Sequence, residues 1–383
     1  MTVATRQSQE AVEALHDRPP GGARLRIASL PPPLPENPYQ RLLYDGLEQE
    51  GVVLVDSQNL DLGWLLRSRG DIDVLHFHWP EVYYRHHSAA TRVALVLSWL
   101  RLGVFALRLL AARALGYTIV WTVHQVRPHE SRSPLLDRAG TSLLARSAHL
   151  LVAHDRSTAD RAAEAFGRSR KPALVAHGSY IGVYPEGRTR SEVRAELGLS
   201  DDAFVFLSLG HLRRYKGLDL LLGAFEATRT SLPDARLVLA GLAIDGAEGE
   251  AASAAATADA RVKASLGFVP DERVAELFGA ADAAVLPRSD GGTSGALVLA
   301  LSLGVPVVAA DVPAYAELVG EPPAGWLFAP GDPESLTEAM RQAAAAPAGE
   351  LLRRSEAAGR RAASLRWDDS CRTFVELLNE SRA

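Results

Sequence analysis

Three cations crowd into four residues at Arg213, Arg214 and Lys216, inside the run Gly210-His211-Leu212-Arg213-Arg214-Tyr215-Lys216-Gly217. The run follows an apolar strand-like stretch, Phe204 to Ser208, and precedes a helical one from about Leu218. Fixed cations beside a helix start, with glycines that allow close backbone approach, suit a diphosphate. A solvated basic loop has the same composition, so this run alone leaves both readings open. A second segment, Pro287 to Ala296, follows another apolar strand and opens a helix over about Ala296–Leu303. Its small residues expose backbone N–H groups that bind phosphate oxygens, and Thr293 and Ser294 add hydroxyls beside Gly295. An ordinary N-cap is the plainer reading of that segment.

The first half of the chain carries histidines at strand ends. His124 ends the strand Thr118–Val123, where an imidazole can hydrogen-bond a hydroxyl or accept its proton, or else be a satisfied strand-end histidine. His76 and His78 are two apart, so they share one face of the strand Val74–His78. A zinc pair is the tempting reading, but no third or fourth ligand declares itself nearby, and no metal is expected. Trp79 and the Tyr83-Tyr84 pair lie just beyond, as surfaces for stacking or for packing. Glu81 and Glu130 are the carboxylates that offer alternatives to His124 as general base. His177-Gly178-Ser179-Tyr180 reads as a structural loop.

Apolar strand-like runs alternate with helical stretches throughout, which implies parallel sheets covered by helices. The strands are Leu25–Leu30, Val52–Val55, Val74–His78, Thr118–Val123, Leu150–Ala153 and Ala173–Ala176. After a polar stretch at 185–190 the alternation restarts with Phe204–Ser208, Arg236–Ala240, Ala264–Phe268, Ala283–Leu286 and Val305–Ala309. The restart divides the chain into a disordered tail over 1–22, an α/β domain over 23–185 and a second over 186–365. Residues 366–383 remain as a C-terminal helix. Asp332-Pro333-Glu334 reads as an N-cap, a proline at the first helical position and an acid in the first turn.

The 383 residues carry a net charge of -5, which excludes the strongly basic profile of a nucleic-acid binder. The single cysteine, Cys371, forms no internal disulfide and fits a reducing compartment. The first 22 residues hold no apolar leader-like core, so the expected location is cytoplasmic. The most membrane-like stretch is 93–115, interrupted by Arg101, Arg108 and Arg113. It reads as an amphipathic packing helix rather than a spanning one, with peripheral contact to the inner face of a membrane as the second reading.

Taken together, residues of about 200–347 resemble the C-terminal half of the GT-B glycosyltransferases related to family 4. The stretches that carry the resemblance are GHLRRYKGLDLLLGAF, LPDARLVLAG, LGFVPDERVAELFGAADAAVLP, TSGALVLALSLGVPVVA and GWLFAPGDPESLTEAM, in the family's order and roughly its spacing. VLHFHWPE and VWTVHQVRPHE are similar to acceptor-domain strands of a divergent bacterial branch. The resemblance implies two doubly wound Rossmann-like domains facing each other across a cleft, with the last helix, from Trp367, crossing back to the first domain. It implies that Lys216, with Arg213 and Gly210, holds the donor diphosphate, and that the loop at Val269 holds the base. Thr293, Ser294 and Gly295 would take a phosphate, and His124 would sit near the transferred sugar. His78, Trp79 and Glu81 would line the acceptor side. The family's usual arginine is His211 here, and its two glutamates are replaced by Gly291 and Leu299, with Asp290 one residue away.

The implied activity is transfer of a hexosyl group, mannosyl favoured, from a UDP- or GDP-sugar to a hydroxyl acceptor such as a lipid-linked saccharide or a small natural product. No metal or other cofactor is implied. A sugar-nucleotide epimerase of the same architecture and a non-catalytic transferase-like partner protein are the alternatives. A dinucleotide-binding dehydrogenase is disfavoured, since Leu30 leads into prolines instead of G-x-G-x-x-G.

Overall fold

The computed structural model of the chain describes residues 24–34, 38–57, 59–86, 92–126, 133–167, 170–244, 246–288 and 292–382. The tail expected over 1–22 lies outside them. The first half comprises β1 (Leu25–Leu30), α1 (Pro38–Gln49), β2 (Val52–Val55), α2 (Leu62–Arg67), β3 (Val74–Phe77), α3 (Glu81–Tyr84), α4 (Arg92–Ala114), β4 (Thr118–Thr122), α5 (Pro134–Ser147), β5 (Leu150–Ala153), α6 (Arg156–Phe166) and β6 (Ala173–Leu174). The second half comprises α7 (Arg190–Glu196), β7 (Val205–Leu209), α8 (Leu218–Ala227), β8 (Arg236–Gly241), α9 (Gly246–Ala258), β9 (Val262–Leu266), α10 (Asp271–Ala280), β10 (Ala283–Leu286), α11 (Gly295–Ser302), β11 (Val307–Ala310), α12 (Pro313–Val319), β12 (Gly325–Phe328), α13 (Pro333–Ala345), α14 (Ala348–Ala363) and α15 (Trp367–Arg382).

Two six-stranded sheets result, ordered β2-β1-β3-β4-β5-β6 and β12-β11-β10-β7-β8-β9. Every strand pairing is parallel. Their strands read as continuous apolar runs because helices cover both faces. Strand order reverses at β1/β3 in the first sheet and at β7/β10 in the second. In doubly wound sheets the crevice at such a reversal, beyond the carboxyl ends of the strands, is where ligands bind.

Helix starts follow local chemistry. Asp332 accepts hydrogen bonds from the backbone of Glu334 and Ser335, with Pro333 opening α13. Thr189 and Glu192 form a reciprocal capping box on α7. The expected strand Ala264–Phe268 lies two residues earlier, because β9 enters the sheet where Val262 pairs with Leu237, and Phe268 has left it for solvent. Gly325–Phe328 is an edge strand that the sequence reading did not assign, pairing with β11 through Val307 and Gly325.

The two faces of the first sheet carry separate cores. One is closed by α4 and α5 through Phe105, Leu109 and Leu144, around Phe77 and Trp121. The other is closed by α1 together with α15, where Cys371, Phe374 and Leu378 pack on Ile27, Val120 and Val152. The Trp367 indole donates to the Ser179 carbonyl at 2.8 Å, which fixes where α15 begins. Burying Phe374 and Leu378 contributes on the order of 1.5–3 kcal/mol per side chain.

Candidate active site

The reversal at β7/β10 brings the two Gly-rich segments together. Ser208, Gly210, Arg213, Lys216 and Pro287 line one pocket at the strand ends. Gly210 has φ +126°, and a Cβ there would lie 3.1 Å from Lys216 Nζ, so a larger residue would push the ammonium away. Lys216 sits in a short 3₁₀ turn over Arg214–Lys216. The Arg288 guanidinium, from the loop after β10, lies 5.5 Å from the Tyr215 ring centroid. Burial, then Arg288, then Arg213 lower the Lys216 ammonium to about 8. Cations gathered this closely disfavour one another and become favourable together when an anion joins them. His211 is lowered by burial and then by Lys216 and Arg213. A neutral imidazole there contributes no charge where the family carries arginine. Arg288 belongs to this cluster although only its position in the second segment signalled it.

Ser294 caps α11 by position but makes no side-chain hydrogen bond to it. The first-turn N–H groups of this eight-residue helix therefore receive no cap from the Ser294 side chain. A Cβ at Gly295 would meet Tyr180 Oη at 3.2 Å and His177 Nε2 at 4.0 Å. The loop 177–180, read from the sequence as structural, thus touches the helix start from the other half of the molecule. Leu299 is buried in the core around the second sheet, so no carboxylate stands at that turn. Val269 lies between β9 and α10, partly buried against the same core.

Facing this is a column of rings at the carboxyl ends of β3 and β4. The Tyr44 hydroxyl lies 3.0 Å from His76 Nδ1 and 2.9 Å from His78 Nε2. His78 Nδ1 in turn lies 3.0 Å from His124 Nε2, and His76 Nε2 lies 2.8 Å from Thr122 Oγ1. These partners satisfy His76 and His78, and among the described residues no cluster capable of holding a metal ion is found. Trp79 stacks on His124 with centroids 4.7 Å apart and planes 12° from parallel. Tyr39 lies edge-on to His124 and His154, at 5.2 and 5.3 Å. Burial and then the neighbouring imidazoles hold His124 well below the ordinary histidine value, so the ring is neutral. Burial raises the Glu81 carboxyl. A raised carboxyl is the better proton acceptor, and a depressed imidazole the weaker one.

The two halves meet at Asp155, which sequence reasoning missed. Its carboxylate caps α6 by accepting from the Thr158 backbone at 2.7 Å. The other oxygen accepts from Thr293 Oγ1 at 2.8 Å and from the Thr293 backbone N–H at 3.1 Å. A Cβ on the neighbouring Gly292 would sit 3.5 Å from the His124 carbonyl oxygen. The phosphate-type loop and the histidine column therefore share one crevice. Glu130 and Asp290 lie outside the described residues, as does Gly291.

Residues 189–362 match the family of group 1 glycosyl transferases. The chain is 28% identical over 347 residues to a GDP-mannose:glycolipid 4-beta-D-mannosyltransferase of Xanthomonas campestris pv. campestris, spanning 90% of this chain and 89% of that one. It is 30% identical over 297 residues to D-inositol 3-phosphate glycosyltransferase 1 of Catenulispora acidiphila, spanning 72% of this chain and 65% of that one. Among solved structures it superposes on Anabaena HepE in complex with UDP-glucose, with TM-score 0.70 and 18% identity, over 93% of this chain and 100% of that one. Sucrose-phosphate synthase of Thermosynechococcus elongatus gives TM-score 0.66 and 16% identity, over 93% and 99%. The chain is a GT-B fold glycosyltransferase related to the group 1 glycosyl transferases. It is an enzyme that moves a sugar from a nucleotide-sugar donor to an acceptor.

Proposed function

We propose that the donor is GDP-mannose and that the acceptor is the hydroxyl of a lipid-linked saccharide. The similarity to the Xanthomonas mannosyltransferase carries this reading, because it runs through both halves of the chain and so through both sides of the crevice. In this reading residues 23–185 hold the acceptor, 186–365 hold the donor, and 366–383 return to the first unit. Arg213, Lys216 and Arg288 neutralise the leaving diphosphate with the N-terminus of α11 at Thr293, Ser294 and Gly295. That is stabilisation of charge as it develops in the transition state, and fixed cations with a helix end supply it. Gly210 lets the diphosphate approach, and the Val269 loop holds the base of the nucleotide.

His124, neutral and stacked under Trp79, hydrogen-bonds the transferred sugar. Its depressed basicity assigns the acceptor's proton to a carboxylate, for which Glu81 is the described group tuned upward by burial. Glu130 and Asp290 are further carboxylates proposed for the reacting centre. A β-mannoside formed from an α-linked donor sugar requires one displacement with inversion, and that needs such a base. The test is incubation with GDP-mannose, GDP-glucose, UDP-glucose and UDP-galactose and a lipid-linked saccharide. Product is read by mass and by the anomeric C–H coupling in NMR. Transfer from GDP-mannose with a β anomeric signal supports the reading. Transfer from a UDP-sugar only, or an α product, overturns it.

A further inference from the structure

α4 has two apolar faces, and the fold uses one. Ala94, Ser98, Leu102, Phe105, Leu109 and Ala112 are buried against the first sheet. On the opposite side of the helix, Val93, Val96, Leu100, Leu107 and Leu110 are 60–69% exposed. At 3.6 residues per turn these fall in one stripe along the helix, roughly half a turn from the buried one. Trp99 and Val104 widen the stripe, at 45% and 44% exposed. Val82 of α3 and Leu135 of α5, helices that both pack on α4, extend it sideways at 40% and 74% exposed. By length and composition the helix could cross a membrane. Its inner stripe closes the core over Phe77 and Trp121, so leaving the fold would uncover that sheet face.

The charge pattern selects the partner. α4 contains Arg92, Arg101, Arg108 and Arg113 and no acidic residue. Arg101 and Arg108 flank one edge of the exposed stripe, and Arg92 and Arg113 the other. Arg101 donates to the Val82 carbonyl at 3.1 Å and Arg113 to the Ser147 carbonyl at 2.6 Å. Among the described residues none of the four is paired with a carboxylate. An apolar stripe edged by arginines is the arrangement of a helix lying in a bilayer interface, with cations at headgroup level. A protein partner would be expected to meet these edges with carboxylates instead.

We propose that α4 docks the enzyme on an anionic lipid bilayer, its outer stripe sunk into the acyl boundary and its arginines on the headgroups. Docking places α3, which begins at Glu81, and Trp79 just ahead of it, close to the membrane surface. A saccharide anchored in that surface then meets the histidine column without leaving the bilayer. The docking does not depend on which donor is used, so it stands or falls separately from the mannosyl assignment.

The experiment is flotation of the full chain, without donor or acceptor, on vesicles of phosphatidylcholine alone and of phosphatidylcholine with phosphatidylglycerol. Circular dichroism melting verifies folding of each variant, and sedimentation records its oligomeric state. The wild type is expected to float with the anionic vesicles and to be released by high salt. Leu100→Gln/Leu107→Gln should weaken partitioning by at least about 50-fold at unchanged melting temperature. Arg101→Gln/Arg108→Gln should weaken it on anionic vesicles and leave binding to neutral ones unchanged. The proposal is overturned if the wild type does not float, or if the leucine variant floats equally well. It is also overturned if the wild type is a dimer that the leucine variant converts to monomer, since the stripe would then join two copies of this chain.

Discussion

Lys216 links the donor pocket to pH in a way that can be measured. Its ammonium is held at about 8 by burial and by Arg288 and Arg213. A diphosphate in the pocket adds opposite charge and raises it again, so nucleotide binding takes up protons wherever the free lysine is partly neutral. If only the protonated form binds well, the dissociation constant follows 1 + 10^(pH − pKa). Between pH 7 and pH 9 that is a rise of about tenfold, with uptake of about half a proton at pH 8. Lys216→Met keeps the length and loses the charge. Losing one charge-assisted hydrogen bond to a phosphate costs about 1.5–3 kcal/mol, or roughly 10- to 150-fold in affinity at pH 7. The variant should also lose the slope, because the ammonium that takes up the proton is gone. The assay is calorimetry with GDP at constant ionic strength, in buffers of different ionisation enthalpy so that protons are counted. A flat wild-type profile, or an equal slope in Lys216→Met, would refute the argument that this ammonium is both depressed and in contact with the diphosphate.

Asp155 and Thr293 hold the two halves together at the crevice. Asp155→Ala should weaken the closed arrangement, raise the radius of gyration in X-ray scattering without nucleotide, and lower kcat more than it changes nucleotide affinity. An unchanged radius with unchanged kcat would leave Asp155 as an N-cap only. The histidine column should make the protein acid-labile. Burial first and neighbouring imidazoles second push His76 and His177 down from the ordinary histidine value to about 3. The unfolded chain therefore takes up their protons near pH 6.5 while the folded chain does not. Stability is full above that pH and declines as pH falls toward 3, by about 2 kcal/mol per group at pH 5. Urea unfolding at pH 7 and pH 5 measures the loss, and equal midpoints would contradict it.

What the sequence made legible was what lies close together along it. The run 210–217 and the run 287–296 each carried their own glycines, cations or hydroxyls, and each followed a strand that proved to be β7 or β10. Their meeting was implied only by the resemblance, and it is strand order that produces it. Arg288 joins Lys216 because β7 and β10 are neighbours across the reversal, a fact about topology and not about either run. The tyrosines of α1 were invisible for a related reason. Nothing beside Tyr44 in the chain announces its partners, since it bonds His76 and His78 across a long sequence separation. Asp155 escaped the sequence because its local role is that of an ordinary helix N-cap. Its second oxygen reaches Thr293 only after both domains have folded and closed. β12 and the register of β9 depend on the strands beside them, which local apolar runs do not specify.

The return of α15 to the first sheet has a consequence for how the enzyme is made. When the ribosome has finished β6, one face of that sheet has α1 but lacks Cys371, Phe374 and Leu378, which belong to the final helix. The whole second half must be synthesised before the first sheet can complete that core. During that interval the nascent chain shows apolar surface to chaperones and proteases. A chain ended early anywhere in the second half therefore leaves the first sheet without the residues that close one of its faces.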